Sequence, residues 1–157
     1  MPTLEEVFAR VEPYTGSGPH YDFMGGSVVA DQNCRVLVTV LNEHGFPQAG
    51  IKVTNMRVDA QWECIETNGA GQAEFFMGKG SKFSPPDQGP HTVYVGDGPK
   101  RLGAAVVGLG LLYGHHMDYS VGFKYTLNGG TPPPPDSTEN KGCIVGLLEF
   151  ILGMLKR

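Results

Sequence analysis

Between Met117 and Leu127 every second residue is apolar: Met117, Tyr119, Val121, Phe123, Tyr125 and Leu127 alternate with Asp118, Ser120, Lys124 and Thr126. A period of two puts all six on one face of a strand, so this stretch reads as a β-strand with one face buried. A second run repeats the pattern. Cys34, Val36, Val38 and Val40 share a face in NCRVLVTVL, and Leu37 and Leu41 make the other face apolar too, as though something covers it. Glycine (23) and proline (12) together make roughly a fifth of the chain, above the usual background, and they are spread between short apolar runs. Such punctuation predicts many turns between short strands.

The remaining strands follow from the same signals. NEHGFPQAG is a turn, and IKVTNMRV is a strand whose apolar phase slips between Val53 and Met56, as at a β-bulge. QWECIET and QAEFFM flank the turn NGAG, HTVYVG follows the loop KFSPPDQGP, and LGAAVVGLGLL is apolar with glycines. Trp62 shares its phase with Cys64, which is expected to point inward. The start differs: Thr3 and Glu6 have capping-box spacing, and Leu4, Val7, Phe8 and Val11 recur at helical intervals before Pro13. The expected organisation is a short N-terminal helix over 1–13 and a loop over 14–27. A β-sandwich domain over 28–130 is followed by a Pro-rich and polar linker over 131–141, then an amphipathic helix over 142–157. The fold class expected is all-β, an antiparallel sandwich of seven to eight strands.

The run VLVTVLNEHGFPQAGIKV followed by ETNGAGQAEF resembles bacterial Ig-like and carboxypeptidase-regulatory-like (transthyretin-like) β-sandwich domains. Val36, Val38, Asn42, Gly45, Pro47, Gly50 and Val53 carry the first half of that pattern; Thr67, Asn68, Gly71, Ala73 and Phe75 carry the second. The likeness covers about residues 34–96. It implies an Ig-like sandwich and a role as an accessory or structural module that binds glycans, spaces other domains or builds assemblies such as phage particles.

Composition narrows the partners. A formal net charge of −4, with no run of Lys or Arg, argues against nucleic acid. No signal peptide is read at the start, so the chain is expected to be cytoplasmic or released as part of a particle. No stretch reaches the roughly 18 apolar residues of a membrane span. Cys34, Cys64 and Cys143 match no metal spacing; buried free thiols are expected, and a Cys34–Cys64 disulfide stays open.

No catalytic constellation emerges, and no cofactor is expected. Gly108, Gly110 and Gly114 lack the βαβ frame of a dinucleotide loop, and MGKGSK lacks the phosphate-loop frame. His115 and His116 are adjacent and point to opposite faces of a strand, so they cannot easily chelate one ion with each other. Stacking on sugars is the binding chemistry available. Tyr94, out of phase with Val93 and Val95, is expected to face outward; Tyr113, beside His115 and His116, comes next.

The C-terminal segment carries the strongest functional signal. On a helical wheel Ile144, Leu148, Ile151 and Leu155 form a narrow stripe that Leu147 flanks, while Gly142, Gly146, Glu149, Gly153 and Lys156 line the back. Each glycine costs about 1 kcal/mol of helix propensity relative to alanine, so such a helix orders where its apolar face is buried. The candidates for that burial are a second copy, another protein chain, a membrane interface or the chain's own domain. The expected function is a non-enzymatic module that joins a larger assembly, a phage-like particle or homo-oligomer, through this helix. The alternative is a carbohydrate-binding accessory module.

Overall fold

The computed structural model describes residues 10–30, 33–77, 89–111 and 117–127. Their regular structure is all strand: β1 (Arg10–Glu12), β2 (His20–Ala30), β3 (Arg35–Leu41), β4 (Lys52–Met56), β5 (Trp62–Glu66), β6 (Gln72–Phe76), β7 (His91–Asp97), β8 (Lys100–Leu109) and β9 (Met117–Thr126). The strands hydrogen-bond in the order β5-β4-β7-β8-β2-β9-β3-β6, with β1 also on β8, and the sheet curls until it is nearly closed.

Two runs make up the sheet. β5, β4, β7, β8 and β1 pair antiparallel throughout. In the other run β2 pairs antiparallel with β9, β9 parallel with β3, and β3 antiparallel with β6. One parallel bridge, Tyr21 to Gly103, joins the runs. The sheet is therefore mixed rather than purely antiparallel, with nine strands among the described residues.

The inward faces of both runs meet in one core. β3 contributes Val36, Val38 and Val40, β6 Ala73 and Phe75, and β9 Tyr119, Val121 and Phe123; across from them lie Val53, Val93, Val95, Ala104 and Val106. Each valine or phenylalanine among them contributes about 1.5–3 kcal/mol when fully buried. The period-two reading of β3 and β9 holds in this burial up to Phe123, beyond which Tyr125 is half-buried and Leu127 is 53% exposed.

Three expectations are corrected. Arg10–Glu12, the end of the expected helix, is a strand paired with Ala105–Val107. Val11 packs on the core, and the open edge of β8 supplies partners that an isolated helical turn lacks; residues 1–9 lie outside the described residues. Much of the expected loop over 14–27 is strand, because β2 starts at His20. Its glycines sit at a bulge between Phe23 and Gly25, where Gly25 has φ +137. Finally, β4 keeps regular register with both neighbours. Its phase slip arises because both faces are covered: Val53 enters the core, while Met56 packs on an outer cluster of Tyr94, Ala105 and Val107.

The residues that carry the family resemblance form a clasp between the β3–β4 and β5–β6 loops. Asn42 Oδ1 accepts from the amides of His44 and Phe46, and Asn68 Oδ1 accepts from those of Ala70 and Gln72. Thr67 ties the loops together: its hydroxyl donates to Gln48 O at 2.6 Å and accepts from Ile51 N at 3.0 Å. Gly71, at φ +69, is backed against Val40 O and Gln48 N, leaving no room for a Cβ. Thr67 is buried. Thr67→Val keeps the shape but leaves a part-buried amide and carbonyl without this partner, and should cost about 1 kcal/mol, read as a lower denaturant midpoint at unchanged slope.

Candidate binding surface

The outer face of β4, β5 and β7 is shaped by the turn after β7. The β7–β8 register shifts between Tyr94 and Gly96, and Gly96 and Gly98 take φ of +152 and +55. These conformations fold the turn down over the sheet. Three hydrogen bonds hold it there. Thr54 Oγ1 donates to Gly96 O at 2.9 Å and accepts from Gly98 N at 3.0 Å, and the Tyr94 hydroxyl donates to Gly98 O at 2.6 Å.

Trp62 lies against this turn. A Cβ on Gly98 would stand 2.9, 3.1 and 3.2 Å from Cζ2, Cη2 and Cε2 of the indole. Near-equal distances to three adjacent atoms place Gly98 over the flat face of the ring, because an approach in the ring plane would leave the two flanking atoms much farther than the nearest one. Trp62 is nonetheless 50% exposed, so a ring backed by the Gly98 backbone still offers half of its surface to water. Beside the turn, Lys52 Nζ meets Asp97 Oδ2 at 2.6 Å. The hydrogen bond between them raises the Lys52 pKa and, given by Lys52, holds Asp97 below the usual carboxylate range. The Cys64 thiol donates weakly to Gly96 O at 3.8 Å.

The expected site residues fall differently. Tyr94 does sit on the outer face, but it is only 4% exposed. The folded-down turn accepts its hydroxyl proton, and burial raises its pKa; it is a support for the surface, not a ring offered to a ligand. Trp62 and Cys64 share a face as expected, but it is the outer one: Ile65, in the other phase, packs on the core. Tyr113, His115 and His116 lie outside the described residues, as do Ile144, Leu147, Leu148, Ile151 and Leu155. Gly98, Thr54, Lys52 and Asp97 were not singled out from the sequence, although VGDGPK, with two glycines around an aspartate, signals a tight turn. Cys34 and Cys64 are both free thiols.

A second polar cluster lies at the start of β2. Thr126 Oγ1 donates to Asp22 Oδ2 at 2.8 Å, Asp22 Oδ1 lies 3.1 Å from His20 Nε2, and His20 Nδ1 lies 2.8 Å from Gly18 O. Tyr14 stacks on the His20 ring at 5.2 Å. The hydroxyl bonds the carboxylate rather than the imidazole, so the nucleophile–base contact of a catalytic triad is not made here. The cluster instead pins the loop before β2. Among the described residues no group of three or more His, Cys, Asp or Glu is placed to hold a metal ion. Comparison of the chain with protein-family models, with curated proteins and with solved structures returns no match.

Proposed function

We propose that this chain is a non-enzymatic β-sandwich module, Ig-like or transthyretin-like in type, that joins a larger assembly through residues 142–157. The assembly is a phage-like particle or an oligomer of the chain itself. The observation that supports this is the exposure at the end of β9. Among the described residues the last fully buried core member is Phe123, and the alternation then leaves the interior, with Leu127 53% exposed. Ile144, Leu147, Leu148, Ile151 and Leu155 follow in the sequence after that point. An apolar stripe of this kind needs a surface to bury it. A second chain offers one by the packing of stripes at four-three-four spacing. Inner faces meeting across one core support the sandwich.

The test replaces Ile144, Leu148 and Ile151 by Asp in the full chain. The expected result is loss of association with an unchanged thermal midpoint. Association that survives the substitutions contradicts the proposal.

A further inference from the structure

The geometry points to Trp62 as the floor of a carbohydrate site that takes an uncharged pyranose ring. This rests on the described surface alone and is independent of how the chain assembles.

The floor is built rather than incidental. A tryptophan half open to water on a sheet face is an apolar surface with one polar handle, the indole N–H. Here it is also immobilised. Gly98 can lie flat against it only because a Cβ there would overlap the ring, and Gly98 itself is fixed by Thr54 and Tyr94. A ring held in place before binding loses little freedom on binding, which removes part of the usual cost of association.

The rim suits the same ligand. A pyranose presents C–H groups on one face and hydroxyls around its edge, each hydroxyl both donor and acceptor. Asp97, next to Gly98 in the turn, accepts and Lys52 donates; their side chains remain 54% and 48% exposed. Their charges already cancel in the 2.6 Å pair, and the chain carries a net charge of −4. A neutral ligand can exchange hydrogen bonds with such a pair without an uncompensated charge. A nucleotide or other polyanion would find no spare positive charge in it. An apolar floor whose supporting turn carries an acceptor paired with a lysine has the make-up of small-ligand sites, which set a few polar groups beside apolar surface.

Trp62 is the only tryptophan in the chain, so indole emission of the full-length protein reports directly on this floor. The probes are neutral cello-, xylo-, malto- and chito-oligosaccharides, each titrated to about 1 mM, where a contact worth about 4 kcal/mol is half saturated. A saturable blue shift with at least one series is expected. In calorimetry with that sugar, Trp62→Ala should weaken binding by about tenfold or more, with strand circular dichroism unchanged. Trp62→Phe should retain part of the affinity. Gly98→Ala, which forces the ring off its support, should shift the emission of the free protein and weaken binding as well. No response to any of the four series overturns the assignment. So does a sugar bound equally well by Trp62→Ala, or a response to a tetraproline peptide and to none of the sugars, which would give the platform to a protein partner.

Discussion

Gly103→Ala is expected to lower stability by about 3 kcal/mol, among the larger effects of a single added methyl. Gly103 is where the two runs of the sheet touch, through its bridge to Tyr21. A Cβ there would overlap Tyr21 O and stand 2.7 Å from Tyr21 N. Both are backbone atoms of a paired strand and cannot swing aside as a side-chain tip would. Two residues earlier in β8, the Arg101 guanidinium donates to Gly103 O at 2.5 Å and to Glu12 O, fixing β8 beside β1. The methyl therefore has to part the seam or distort β8. Chemical denaturation checks this: the midpoint should fall sharply, and Gly103→Val should fall further or fail to fold. Gly69→Ala is a matched control, since Gly69 has nothing within 4 Å of a Cβ and no positive φ.

Asp118→Ala is the second large effect, at about 2 kcal/mol. Asp118 organises the entry of β3 beside its parallel partner β9. It accepts from Asn33 N at 2.9 Å and from Arg35 N at 3.2 Å through Oδ1, and from Arg35 Nε at 2.7 Å through Oδ2. The intervening Cys34 takes φ +59, a conformation that non-glycine residues rarely adopt. The carboxylate thus stabilises a turn the chain would otherwise resist. Arg35 also reaches Glu74 on β6 at 2.7 Å, so one guanidinium links β9, β3 and β6. The variants separate the contributions. Asp118→Asn keeps an acceptor for the two amides and should recover much of the stability; Arg35→Ala removes only the ion pairs, which are partly exposed and contribute less. If Asp118→Asn were as unstable as Asp118→Ala, charge rather than backbone capture would be the cause.

How much of this was legible depended on whether one face of a strand alone is buried. β9 alternates because much of its outer face meets water, and its period holds as far as Phe123; on β3 the inward valines follow the period although Leu37 and Leu41 make the half-buried outer face apolar too. β4 buries Val53 on one face and Thr54 on the other, so its sequence carries no clean period and the slip toward Met56 imitated a bulge. β5 misled in the opposite sense. Trp62 and Cys64 outweigh Glu63 and Ile65 in apolar character, yet Ile65 is the residue that packs on the core. Tyr94 was placed on the correct face, but its burial depends on a turn folding back over it, which requires the positive φ of Gly98 and a hydroxyl on Thr54, a residue 44 positions away in the chain. β1 and the start of β2 carry no local signal because their stability comes from β8 and β9, strands that lie far later in the chain, with Arg10 opposite Val107 and His20 opposite Thr126. The parallel pairing of β3 with β9 is equally non-local, and no periodicity within either strand encodes it.

Attachment through the C-terminal segment can be read from the mass in solution. Light scattering on a sizing column compares the full chain with a chain ending at Gly130, each checked for strand circular dichroism. A defined oligomer is expected for the full chain and a folded monomer for the shorter one. The same number of subunits in the two folded forms would contradict it.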